Sequence, residues 1–251
     1  MAKIIVKGTD LHARYRQHRA NGKNGLLVCL AGAVAFLLSG LLTSGIRELF
    51  MMLAVLCGLV FLGGFVYAAY HYTEASVLQS GLEGERTATE IVSQLSDSYT
   101  VFRNLTMAYE DRSAEADLVI VGPSGVYIIE VKNHNGTIRG DVEERNWTQY
   151  KVGRGGTPYQ NTVYSPIKQV RTHVHLLAGI LRDAGLPLYV NSGVLFANPE
   201  TEVTLVGQMD RTPVFAVGAD GTEELLRYLT RQSRVLSPDA CQRVTTLLMQ
   251  L

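Results

Sequence analysis

The sequence predicts an α/β protein: a mixed central sheet flanked by helices, preceded by two transmembrane helices. Three observations carry this reading. Two long uncharged apolar runs stand near the front, β-branched runs separated by Gly/Pro turns follow them, and two Ser-Pro pairs open helical patterns in the C-terminal half. The 251 residues are 47% hydrophobic and only 18% charged, with 23 basic and 23 acidic side chains. That composition excludes a disordered chain, a collagen and a nucleic-acid binder of high overall basicity. Three cysteines exclude a disulfide scaffold.

The first run, Asn24 to Ile46, holds 23 uncharged residues; Arg47 and Glu48 interrupt it, and Leu49 to Tyr70 supplies 22 more. A helix needs about 20 mostly apolar residues to cross a bilayer, because every backbone polar group must be paired inside hydrocarbon. Two adjacent runs of this length argue against core helices, and the first is too long for a signal-peptide core. Tyr67, Tyr70 and Tyr72 gather at the end of the second run, where amphipathic rings favour the headgroup zone. Ala31, Ala35 and Ser39, spaced by four, are the expected line of close helix approach.

Residues 1–23 carry six basic side chains against Asp10 alone. By the positive-inside rule the N-terminus stays cytoplasmic, and a two-span hairpin returns the chain to that side. The expected organisation is a basic segment at 1–23, a membrane hairpin at 24–72 and a cytoplasmic domain at 73–251. Both termini would then be cytoplasmic, at the inner membrane in a bacterium, with the bilayer itself as a partner. Cys29, Cys57 and Cys241 would stay reduced.

Within 73–251 the pattern predicts a helix at about 82–96 and a strand near Tyr99–Arg103. A hairpin of Ala116–Val121 and Val126–Lys132 follows, around Gly122-Pro123-Ser124-Gly125. A short strand at Gly136–Arg139 is expected to continue the sheet. Ser165-Pro166 opens a helix to about Asp183, with Ser as cap and Pro in the first turn. Strands near Leu188–Phe196, Glu202–Val206 and Pro213–Val217 precede helices at about 222–232 and 238–250.

The hairpin is apolar on both faces except for Asp117, Glu130 and Lys132. If the turn closes around Pro123-Ser124, Val121 faces Val126, and Asp117 falls opposite Glu130. Lys132 then points to the same face. Two facing carboxylates on a buried sheet repel and are costly to desolvate, so they call for a compensating cation. A divalent ion with oxygen ligands meets that need, and Lys132 can orient water or stabilise phosphate charge. A shared proton, or a Glu130–Lys132 ion pair, is the plainer alternative. Glu85 lies on the buried stripe of Ala88, Ile91, Val92 and Leu95, where a carboxylate either seeks a cation or complements the helix dipole.

These residues resemble a known family. Gly84-Glu85, Ala116-Asp117 and Glu130-Val131-Lys132 are similar to the PD-(D/E)xK nuclease core, with its restriction-endonuclease-like fold. The segments GLEGERTATEIVSQL, EADLVIVGPSGVYIIEVKNHNGTIRGD, Trp147 and YSPIKQVRTHVHLL resemble the nuclease-related domain, NERD, over about residues 81–200. The resemblance implies that Asp117, Glu130 and the Val131 carbonyl bind Mg²⁺ or Mn²⁺. It further implies that Lys132 positions the nucleophilic water, Glu85 supports the metal, and Gln169 reaches the site from the capped helix. His173, one turn from Gln169, either faces the same way or, more plainly, is a solvated or packed helix residue, and Glu115 reads as an accessory ligand. His134 and His175 read as polar surface or packing residues.

The implied activity is metal-dependent phosphodiester hydrolysis of nucleic acid, DNA more than RNA, on the cytoplasmic side. The alternative is a catalytically weak or inactive module, tethered to the membrane, that binds nucleic acid or protein. P-loop, HExxH, CxxC and GxSxG patterns are absent, and no charge lies within either span to suggest transport. Residues 73–251 carry 16 basic and 21 acidic side chains, which disfavours nucleic-acid binding over the whole domain. Arg139, Arg145, Lys151, Arg154, Lys168 and Arg171 nevertheless cluster in sequence after the hairpin.

Overall fold

The computed structural model describes residues 1–8, 11–42, 47–153, 155–209, 211–218, 220–231 and 235–251. The chain divides into two compact units, Asp10–Leu82, and Met1–Thr9 together with Glu83–Leu251.

The first unit contains helix α1 (Leu11–Leu42) and most of helix α2 (Arg47–Val92). Both are long and apolar enough to cross a membrane. At 1.5 Å per residue they run for about 48 and about 69 Å, beyond the roughly 30 Å of a hydrocarbon core. Leu27, Leu30, Leu37, Met52, Leu59 and Phe65 face outward, opposite to the habit of a soluble core helix. Buried positions on α1 instead fall at Gly22, Gly25, Cys29, Gly32 and Ser39, a near-heptad seam of small side chains. Ala31 and Ala35, expected at the contact, are exposed, and only Ser39 of that trio is buried. The glycines decide the seam because the backbones touch: a Cβ on Gly64 would lie 2.9 Å from the Gly25 carbonyl oxygen, and one on Gly25 2.8 Å from the Ala68 nitrogen. Near one end, His18 and His71 share a hydrogen bond between their Nδ1 atoms at 2.9 Å.

The expected separate helix at 82–96 is the last part of α2. Nothing between Tyr72 and Gly81 breaks a helix, and an isolated glycine costs only about 1 kcal/mol there. In the second unit, ten strands form two sheets among the described residues. The larger contains β1 (Lys3–Val6), β2 (Thr100–Tyr109), β3 (Arg112–Gly122), β4 (Gly125–Lys132), β8 (Val190–Phe196) and β10 (Val214–Ala216), in that order. Antiparallel pairing joins β2, β3 and β4; β1, β8 and β10 add parallel to their neighbours. The smaller sheet has the order β7-β6-β5-β9, with β5 (Gly136–Asp141), β6 (Asn146–Val152), β7 (Pro158–Tyr164) and β9 (Thr201–Val206). Strands β5 and β9, expected in one continuous sheet, therefore belong to a second one. Strand β1 divides the basic segment expected at 1–23, since Lys3–Val6 pairs with Thr100–Arg103.

Helices α3 (Pro166–Asp183) and α5 (Pro238–Gln250) cover one face of the larger sheet. The end of α2 and α4 (Gly221–Thr230) cover the other. Both Ser-Pro starts are caps: Ser165 Oγ accepts from Lys168 N, and Ser237 Oγ from Ala240 N. Trp147 and Ile138 turn the inner face of the smaller sheet toward the α3-side core. Gly140 makes room for that indole, since a Cβ there would stand 2.2 Å from Trp147 Cδ1.

Two substitutions test this packing. Gly140→Ala should destabilise the domain by about 1–3 kcal/mol in urea titration, because the buried Trp147 has no free space to move into. Gly64→Val should lower the melting temperature of the hairpin in detergent, whereas Ala35→Val, on the exposed face, should leave it within error.

Candidate active site

The hairpin register follows the turn, with Gly122 opposite Gly125 and Val121 opposite Val126 as far as Leu118 opposite Ile129. Beyond that pair the ladder stops. Asp117 Oδ2 accepts from the Val131 N–H at 2.7 Å, so a side chain takes the place of a backbone acceptor where the strands part. On the other side of β3, Asn104 interrupts the pairing with β2 by adopting φ of 53°. This left-handed conformation is one that asparagine tolerates. The alternation of β2 shifts there: Phe102 and then Leu105 and Met107 all face the α3-side core.

Glu130, on the α3 side of β4, is 1% exposed. Its Oε1 accepts from Lys132 Nζ at 2.7 Å, and its Oε2 stands 3.3 Å from His173 Nδ1 of α3. That second contact is an ion-pair distance without hydrogen-bond alignment. Among the described residues, three buried side-chain polar atoms make no directed hydrogen bond: Glu130 Oε2, His173 Nδ1 and Asn104 Oδ1. All three belong to this cluster. Unsatisfied buried polar atoms are rare in native folds, and their concentration marks a place built for a further group.

Burial, and then the charge of Glu130, push the Asp117 carboxyl well above its ordinary range, against the pull of the Val131 N–H and Lys132. Glu85 adds to the upward push. Burial also opposes ionisation of Glu130, but His173 and Lys132 outweigh it and hold that carboxyl below its ordinary value. One carboxylate is thus secured while its neighbour is strained electrostatically. Adding a cation would relieve that imbalance.

Glu85 reaches the cluster because Gly84 lets α2 approach the end of β4; a Cβ on Gly84 would lie 2.8 Å from Asn133 Cβ. Its Oε2 accepts from Arg103 at 2.9 Å and from Asn104 Nδ2 at 3.3 Å, so its immediate cation is an arginine. Gln169 is half-buried one turn before His173, and no hydrogen bond joins its amide to the carboxylates among the described residues. Glu115 is exposed on β3.

His173 is packed rather than solvated, and it faces the same cluster, buried against Glu130. Its only sequence signal was the four-residue spacing from Gln169. Arg103 and Asn104 had none, since their roles depend on pairing across β2. His134 is half-buried, and its pKa falls to about 4 through burial and the positive charges of Lys132 and Lys151. No group of three or more His, Cys, Asp or Glu side chains forms a metal cage among the described residues. The donors that the structure offers are two hard carboxylates, which suit Mg²⁺ better than Zn²⁺.

Comparison with known proteins agrees with the residues. An uncharacterized protein of Bacillus anthracis is 29% identical over 93 residues, or 36% of this chain and 43% of that protein. The match therefore spans less than half the length of that relative. No solved structure matches the chain. Residues 80–197 match the family model of the nuclease-related domain, NERD. The stretch that matches the nuclease-related domain therefore holds Glu85, Asp117, Glu130, Lys132 and Gln169.

Proposed function

We propose that this protein is a membrane-anchored, divalent-metal-dependent nuclease that hydrolyses phosphodiester bonds of nucleic acid, DNA more than RNA, on the cytoplasmic side. One observation carries the reading: a buried Glu130 oxygen without a directed hydrogen bond, beside a second carboxylate whose ionisation Glu130 opposes. Asp117, Glu130 and the Val131 carbonyl would hold Mg²⁺ or Mn²⁺, with water and phosphate oxygens completing the shell. When bound, the ion supplies charge neutralisation at the phosphate.

The protein groups do the rest. Lys132 directs its ammonium donors at the attacking water, whose oxygen bonds to phosphorus as the bond to the leaving oxygen breaks. The leaving oxygen takes up a proton, and the attacking water gives one up to solvent. His173 fixes the orientation of Glu130 from α3. Arg103 and Asn104 hold Glu85 at the rim, and Gln169 offers an amide to a phosphate oxygen. The apolar hairpin keeps the chemistry near the bilayer, and the six basic residues of the N-terminal segment favour a cytoplasmic N-terminus.

The acidic excess of residues 73–251 favours a second reading, a binding module that has lost cleavage. Mg²⁺-dependent cleavage by the full chain in detergent separates the two. Glu130→Ala and Lys132→Ala should each reduce it by about 100-fold or more. Cleavage that survives both substitutions would sink the site, and inactivity of the unaltered protein on varied DNA and RNA would favour the module. A stability readout is independent of turnover. Asp117→Asn removes the repulsion, so it should raise metal-free stability by about 0.5–2 kcal/mol. It should also abolish the rise in melting temperature that Mg²⁺ produces in the unaltered chain.

A further inference from the structure

The smaller sheet presents an outer face that the site does not use. Strand alternation and register put Tyr150 and Tyr164 on this face together with Arg139, Thr148, Gln160 and Thr162. Tyr150 and Tyr164 are 42% and 45% exposed. Each carries a guanidinium on its ring: Arg139 lies 5.5 Å from the Tyr150 centroid, and Arg145 5.8 Å from that of Tyr164. Tyr159 and Lys151, paired at the far end of β6 and β7, alternate to the other face of the sheet, and Tyr159 is also exposed. There Thr137, Tyr150, Lys151, Pro158, Tyr159 and Gln160 line an open cleft of about 460 Å³.

Charge is distributed unevenly in a domain that is acidic overall. From Arg145 to Arg182 the sequence has six basic residues and no acidic one. Strands β6 and β7 lie wholly within that stretch, whereas the acidic residues that share the outer face, Asp141 on β5 and Glu202 on β9, lie outside it. Continuity with the candidate site is close. Only residues 133–135 separate Lys132 from β5.

From this arrangement we infer that the outer face of β5, β6 and β7 is a stacking platform for single-stranded nucleic acid, which it guides toward Glu130 and Lys132. Tyrosine rings receive bases, and the paired arginines receive the flanking phosphates. Duplex bases already stack on one another, so exposed rings select unpaired ones. Tyr150 and Asn146, the partner of Tyr164, are four residues apart on β6, or about 13 Å, which spaces the two rings for separate bases. The inference rests on the proposed nuclease reading for the class of ligand, and it goes further by choosing the single strand.

The test uses the full chain in detergent with EDTA present, so that binding is read without cleavage. The probes are a fluorescent oligothymidine of roughly 16 nucleotides, within the span of one such platform, and a duplex of equal length. Fluorescence anisotropy should show the oligothymidine bound about tenfold or more tighter than the duplex. Tyr150→Ala with Tyr164→Ala should weaken it by about tenfold or more, and the corresponding Phe pair should stay within about twofold. Arg139→Gln and Arg145→Gln should reduce the slope of affinity against salt. Equal binding of both probes, absence of binding, or indifference to the Ala pair would overturn the platform. Tight, Ala-sensitive binding without Mg²⁺-dependent cleavage would overturn the nuclease reading alone; cleavage indifferent to the Ala pair would overturn the platform alone.

Discussion

The domain is organised around a carboxylate that cannot reach water. Glu130 sits at the end of a central strand, between the Lys132 ammonium on its own strand and His173 on the helix packed above. Burying an unpaired charge costs several kcal/mol, so both partners are structural necessities before they are anything else. Yet their satisfaction is incomplete. Oε2 and the facing His173 nitrogen lack directed bonds, and Asp117 adds a second carboxylate that the first repels. An apolar strand end would have been simpler and more stable. The conflict is intelligible if stability at this point is subordinate to holding a cation and a phosphate.

The surrounding backbone serves the same constraint. The β3-β4 ladder ends where Asp117 substitutes its side chain for the next backbone acceptor, one residue from Glu130 along β4. Asn104 shifts the alternation of β2 beside that opening and contributes to holding Glu85. Gly84 removes a side chain between the end of α2 and Asn133, letting that end of the helix approach β4 closely. A glycine, an asparagine and an aspartate, each unremarkable by itself, thus bring three elements together beside the buried carboxylate.

Much of this was legible beforehand, for reasons that are local. A hairpin register follows from a two-residue turn, and helix starts follow from Ser-Pro caps. The apolar runs showed themselves by length alone, and both helices have the length and composition to cross a membrane. What escaped were relations between distant segments. Strands β6 and β7 have polar faces, and the sequence pattern marks no element there. Strand β1 is four residues long and acquires meaning only against β2. The helix seam was misplaced by one stripe, since small residues occur on two sides of α1 and only packing shows that the glycine side touches.

By itself, then, the sequence determined the two apolar helices, the Asp117-to-Lys132 hairpin, the caps and the carboxylate–lysine pattern that announces a nuclease-related domain. Each depends on residues close in sequence, where hydrophobic period, turn chemistry and covalent reach leave few alternatives. The tertiary structure alone decided that His173 faces Glu130, that Arg103 and Asn104 hold Glu85, and that β5 leaves the main sheet to build a second one. Those outcomes depend on which buried charge finds which partner, and on which faces exclude water together. Such energies are set by contacts between residues far apart in the chain, and no local pattern encodes them.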